Sequence, residues 1–200
     1  DAFSGVRKTV DATVEQFARL SNQLKQMALD LPISITGLTG IAEIAGQLGI
    51  KVADIEAFTE VIAKIGISTN LSAEEAATSL GTIISVTGLT ADKFETFASV
   101  LVRLGNEFNA NEQQITQFAV GMAGLTKTFG VPQEQLLALS TALASLGLNA
   151  EASRTAMARI FRDMLAMASE GGPAFARMAD IAGMSIGGLA KLIETDAIEA

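Results

Sequence analysis

Apolar side chains recur along most of this chain at helical spacing. Ile55, Phe58, Ile62 and Ile65 form one stripe, and Phe94, Phe97, Leu101 and Leu104 a second. Ile115, Phe118, Met122, Leu125 and Phe129 form a third. Steps of three and four residues bring side chains to one face of an α-helix. No stretch alternates apolar and polar positions in the manner of a strand, so the expected fold is all-α.

Seven glycines end these runs: Gly49, Gly66, Gly88, Gly105, Gly130, Gly147 and Gly183. Successive spacings over the first six are 17, 22, 17, 25 and 17 residues. The alternation predicts a helical hairpin repeating every ~40 residues, and with it a compact array of about nine or ten short helices. Six of the seven precede an apolar residue: Ile50, Ile67, Leu89, Val131, Leu148 and Met184. Glycine adopts the left-handed conformation past a helix end, and the next side chain folds back onto the helix just left. Each pair therefore reads as a tight helix-to-helix corner, except Gly105, where Asn106-Glu107-Phe108 implies a longer connection.

Helix starts fit the same frame. Ser72 followed by Glu75 is a capping box, and Thr90, Asn149 and Ser185 stand two residues after glycines as N-caps. Pro132 and Pro173 suit a first helical position. Around Thr116–Phe129, the small residues Ala119, Gly121, Ala123 and Gly124 suggest either close approach of a neighbouring helix or simple tolerance. Met157, Met164 and Met167 beside Ile160, Phe161 and Leu165 read as core first and as a plastic binding surface second.

The N-terminal segment has a different period. Phe3, Val10, Phe17, Leu24 and Leu31 recur every seven residues, with Val6, Thr13, Leu20 and Met27 between them. This is an a/d heptad pattern stopped by Pro32. It predicts one longer helix over residues 1–31 whose seam either self-associates or packs onto the domain after it, since Thr9, Gln16, Gln23, Val14 and Ala28 offer no flanking charge pairs. The organisation expected is thus a heptad helix at 1–31, an all-helical core at 32–170, and short C-terminal helices at 171–200.

Composition narrows the chemistry. The chain has 200 residues, no Cys, His, Trp or Tyr, and ten Phe. Disulfides, cysteine nucleophiles, Ser-His-Asp triads and zinc sites built from Cys or His are therefore excluded within this segment. The carboxylate pairs Asp54/Glu56, Glu74/Glu75 and Glu107/Glu112 could serve as acid and base only if burial split their pKa values. Glu74 and Glu75 stand in a first helical turn, where acids usually point to water. Gly171-Gly172-Pro173 and Gly187-Gly188 lack the lysine of a phosphate loop, and no acidic loop has EF-hand spacing. No catalytic residue, cofactor or metal is expected, and the chain does not read as an enzyme.

Charge narrows the partners. The net charge is −8, from 14 basic and 22 acidic residues. Residues 1–31 balance at four against four, whereas residues 32–153 carry five basic and twelve acidic side chains. Such a surface is repelled by phosphates and anionic lipids, so no stable nucleic-acid binding is expected. Arg154, Arg159 and Arg162 form the one basic cluster and read as a solvated face. Apolar residues make up 49%, yet the longest uncharged runs, Ala76–Ala91 and Gln135–Ala150, are shorter than the ~20 residues of a membrane span. Beginning at Asp1, the chain reads as a piece of a longer protein.

Several segments together resemble the conserved core of phage tail tape measure proteins. They are Leu31-Pro32-Ile33-Ser34, then Ala45-Gly46-Gln47-Leu48-Gly49-Ile50, Phe58-Thr59-Glu60-Val61, and the run from Thr69 to Ala77. Leu104-Gly105-Asn106 and Leu143-Ala144-Ser145-Leu146-Gly147-Leu148 come next in order, so the resemblance covers about residues 32–165. It implies a virion structural protein of the tail lumen, present in the host cytoplasm during assembly, that sets tail length and is released at genome ejection. Its implied partners are copies of itself and tail tube, tail chaperone and tail-tip or baseplate proteins, with membrane contact only during ejection. Two other readings stand beside it: an α-solenoid interaction scaffold, from the ~40-residue repeat alone, and a membrane-active helical bundle, from the apolar composition.

Overall fold

Helices are the only regular elements among the described residues, 2–129 and 131–195, of the computed structural model. In chain order they are α1 (Ser4–Thr9), α2 (Val14–Asp30), α3 (Ile35–Gln47), α4 (Ile55–Ser68), α5 (Ala73–Thr87) and α6 (Phe94–Glu107). Then come α7 (Glu112–Phe129), α8 (Gln133–Ser145), α9 (Ala150–Glu170), α10 (Pro173–Ala182) and α11 (Ile186–Thr195). Single 3-10 turns, Val52–Asp54 and Ala91–Lys93, lead into α4 and α6. The fold is all-α.

The single heptad helix expected over residues 1–31 is broken in two. Val10 is extended, with φ −101° and ψ 120°, and Thr13 opens a new helix. The Thr13 hydroxyl accepts the Gln16 N–H at 3.2 Å, while the Gln16 side-chain oxygen accepts the Thr13 N–H at 2.9 Å. This reciprocal cap satisfies donors that a helix start otherwise leaves bare. The break lets α1 lie on α3, where glycine clears the way. A Cβ at Gly46 would stand 2.9 Å from the Thr9 carbonyl carbon, and one at Gly5 would meet the Glu43 carboxylate.

The seam residues turn inward. Phe3, Val6, Leu20, Leu24 and Met27 are buried in the protein's own core, and Val10, Phe17 and Leu31 pack partly against it. That core runs without interruption from Phe3 to Phe161, so no gap in packing separates α2 from α3. Full burial of each such side chain contributes roughly 1.5–3 kcal/mol. A second, small core gathers Phe175, Ala179, Leu189 and Ile193 from α10 and α11. Met164 and Leu165 of α9 touch both.

All the helices but α10, which rests on α9 and α11, stack in two files. Contacts run α1–α3–α5–α7–α9–α11 along one and α2–α4–α6–α8 along the other, and the files meet through pairs such as α3–α4, α4–α5 and α7–α8. Each file places every second helix side by side, and the apolar stripes of both fill the space between.

Four of the glycines are left-handed corners: φ is 75° at Gly49, 71° at Gly88, 66° at Gly147 and 67° at Gly183. At each, the following residue donates its N–H to the carbonyl five residues back: Ile50 to Ala45, Leu89 to Ile84, Leu148 to Leu143 and Met184 to Ala179. Leu89 is buried there, but Leu148 and Met184 stay 48% and 36% exposed, so the expected apolar fold-back is missing at those two.

Gly66 and Gly105 are not corners. They lie inside α4 and α6 and serve close approach instead. A Cβ at Gly66 would stand 3.0 Å from the Ala73 Cα, and one at Gly105 would stand 2.5 Å from the Glu112 carboxyl carbon. Gly130 lies outside the described residues.

Candidate interaction surfaces

The expected caps separate into those that bond and one that does not. Ser72 and Glu75 form the full box: the Glu75 N–H donates to the Ser72 hydroxyl at 3.2 Å, and the Ser72 N–H and hydroxyl donate to the Glu75 carboxylate at 3.0 and 2.7 Å. Gln113 of α7 donates to the other Glu75 oxygen at 3.1 Å, tying the start of α5 to its neighbour in the file. The Ser72 hydroxyl and N–H hold the Glu75 carboxyl below its ordinary pKa, with help from Gln113. Asn149 accepts the Ala152 N–H at 3.0 Å, and Ser185 the Gly188 N–H at 3.0 Å. Thr90 makes no side-chain cap. Its carbonyl instead takes the Lys93 N–H at 2.9 Å in the 3-10 turn, which displaces the helix start to Phe94. Pro132 stands one residue before α8, and Pro173 is the first residue of α10.

Three caps went unread in the sequence: Thr13, Ser34 and Asn111. Thr13-Val14-Glu15-Gln16 obeys the same rule as Ser72 to Glu75, so the signal for a helix start inside the heptad was present. The heptad period masked it.

One or more members of each carboxylate pair are engaged elsewhere, Glu75 by its cap. Glu56 accepts from Gln23 of α2, Glu107 pairs with Arg103 at 2.8 Å, and Glu112 is buried against Gly105. Among the described residues no group of three or more Asp and Glu is placed to hold a metal ion. On α9, Arg154 bonds Glu151 and Arg159 approaches Asp163 at 3.7 Å, leaving the arginine cluster on an exposed face. Arg154 holds the Glu151 carboxyl below its ordinary pKa. Met157, Met164 and Met167 are half-buried against the two cores.

Two grooves, among several on the described surface, lie between helices that follow closely in the chain. One, of about 490 Å³, lies between α4 and α6 on a floor of Val61, Ile65, Ala98 and Val102. Its rim charges neutralise each other: Lys64 bonds Glu60 at 2.8 Å and faces Glu95 at 3.9 Å. The Glu60 hydrogen bond raises the Lys64 pKa. The other groove, of about 430 Å³, lies where α1 meets α2 and includes Arg7, Val10, Thr13, Val14, Phe17 and Lys25. Arg7 sits 4.5 Å over the Phe17 ring and Lys25 5.6 Å over Phe3, while Val14 is 82% exposed. Neither groove brings a nucleophile to a base; the first offers an apolar floor for packing, whereas the second mixes Val10, Val14 and Phe17 with Arg7, Thr13 and Lys25.

These features define an all-helical packing module whose candidate sites are faces and grooves. The chain belongs to the phage-related minor tail protein family, whose model matches residues 21–196. No curated protein matches it, and no solved structure does. Membership in that family gives the chain a structural role in a phage tail. Among the described residues no helix is long and apolar enough to cross a membrane.

Proposed function

We propose that this chain is a segment of a tape measure protein, housed in the tail-tube lumen, that helps set tail length during assembly and is released at genome ejection. The observation that carries the reading is the family match over residues 21–196, joined to the ordered series of resembling segments from Leu31 to Leu148. A continuous helix advances 1.5 Å per residue, so residue count can be read as distance. Glycine corners fold this segment into stacked short helices, so it is a compact block between ruler-like stretches rather than the ruler itself. Its partners are copies of itself and tail tube, chaperone and tail-tip or baseplate proteins.

In-frame deletion of the segment in the parent phage tests this. Tails shortened by far less than 1.5 Å per deleted residue are expected, together with a defect in assembly or ejection. Tails shortened in full proportion would show an extended ruler, and normal infectious tails would remove the role altogether.

The two-file stacking favours a second reading, an α-solenoid scaffold that binds a protein along its length. That reading predicts a stable complex with a tail protein in the absence of any second copy, which co-purification from infected cells would detect.

A further inference from the structure

The N-terminal seam keeps a seven-residue register across the break between α1 and α2. Val6 lies on α1 with Phe3 just before it, and Phe17, Leu20, Leu24 and Met27 lie on α2, with Val10 and Thr13 in the gap. A register shared by two separate helices has a use when they join into one. We propose that α1 is an exchangeable arm: in a pair of molecules, α1 and α2 straighten into one helix, and α1 occupies the Gly46 slot on α3 of the second copy.

The gap is suited to such a change. Val10-Asp11-Ala12 contains neither Gly nor Pro, so all three residues can continue a helix. The closed form is held by the Thr13–Gln16 cap and by the contact of α1 with α3. Six residues are too few to stay helical alone, so α1 forms only where a slot receives it, on its own molecule or another. Exchange keeps the slot contacts of α1 and of Phe3, including Gly46 against Thr9 and the edge-on stacking of Phe3 with Phe17 at 6.2 Å. The two forms then differ in the cap, the hinge and the cost of association, the usual balance of an exchanged dimer.

The hinge groove supplies the new contact. Val10 and Phe17 are half-buried and Val14 stands 82% exposed beside them. Two straightened helices crossing at the hinge bring these side chains onto their counterparts. The arm lies ahead of residue 21, where the family match begins. The proposal deepens the self-association part of the proposed function and rests on it only in requiring a second copy.

The test uses the full 200-residue chain. Sedimentation across a wide concentration range is expected to show a monomer–dimer equilibrium. Thr13→Ala with Gln16→Ala removes the closed form's cap and should tighten dimerisation roughly tenfold or more. Inserting Gly-Ser-Gly after Asp11 lets α1 reach its own slot without a continuous helix and should return the monomer. The natural chain has no cysteine, so one copy carrying Gly5→Cys mixed with another carrying Glu43→Cys should form a disulfide-linked heterodimer. A dimer untouched by the insertion and giving no heterodimer overturns the exchange while leaving self-association intact. Monomers throughout, in the natural chain and the cap variant alike, overturn both.

Discussion

Thr59 is completely buried on α4, and its hydroxyl has no hydrogen-bond partner. An unmet buried hydroxyl costs stability, whereas a methyl of the same shape does not. Thr59→Val should therefore leave the fold intact and raise unfolding stability by about 1 kcal/mol in denaturant titration. The glycines make a matched pair of tests. Nothing lies within 4 Å of a Cβ placed on Gly124, so Gly124→Ala should add about 1 kcal/mol through helix propensity. Gly66→Ala, which drives a methyl toward the Ala73 backbone, should cost roughly 1–3 kcal/mol. The sequence left Gly124 open between close approach and simple tolerance and marked Gly66 for a turn; the fold leaves Gly124 in open helix and gives the close approach to Gly66. Glycine's roles in a turn, in a contact and in open helix look alike in one dimension. Only the neighbour across the gap, far away in sequence, tells them apart.

Helix identity was the most legible level, because the stripes on α4, α6 and α7 are set by local period. Helix ends were partly legible. Ser72 with Glu75 announced α5, while the same signal at Thr13 was hidden inside the heptad period. The α5 cap carries a pH dependence of its own. The Glu75 carboxyl is held below its ordinary value of 4.5 by the Ser72 hydroxyl and N–H. Its contribution is therefore present above about pH 4.5 and fades as pH falls through the lowered folded value. A carboxyl titration by NMR should show a midpoint below 4.5 for Glu75, and protection of the first α5 amides should fall together with it. In Glu75→Gln that acid loosening should vanish.

At the scale of the whole molecule, the two cores divide the stability unevenly. The α10–α11 core contains four buried residues, Phe175, Ala179, Leu189 and Ile193, and leans on α9 through Met164 and Leu165. Phe175→Ala removes its largest member, a loss of about 3–5 kcal/mol in a well-packed site. Hydrogen exchange should then show α10 and α11 opening while α3 to α7 keep their protection. The two-file stacking itself was beyond sequence reading: a glycine period suggests hairpins but does not say that α5 lies between α3 and α7. Because each helix holds chiefly to near neighbours, those next in its file and those facing it across the files, the array has no single keystone. Drawn out by its two ends, it should yield in short lengths, one terminal helix after another, with the tension in the strand never rising to what a cooperative block would demand.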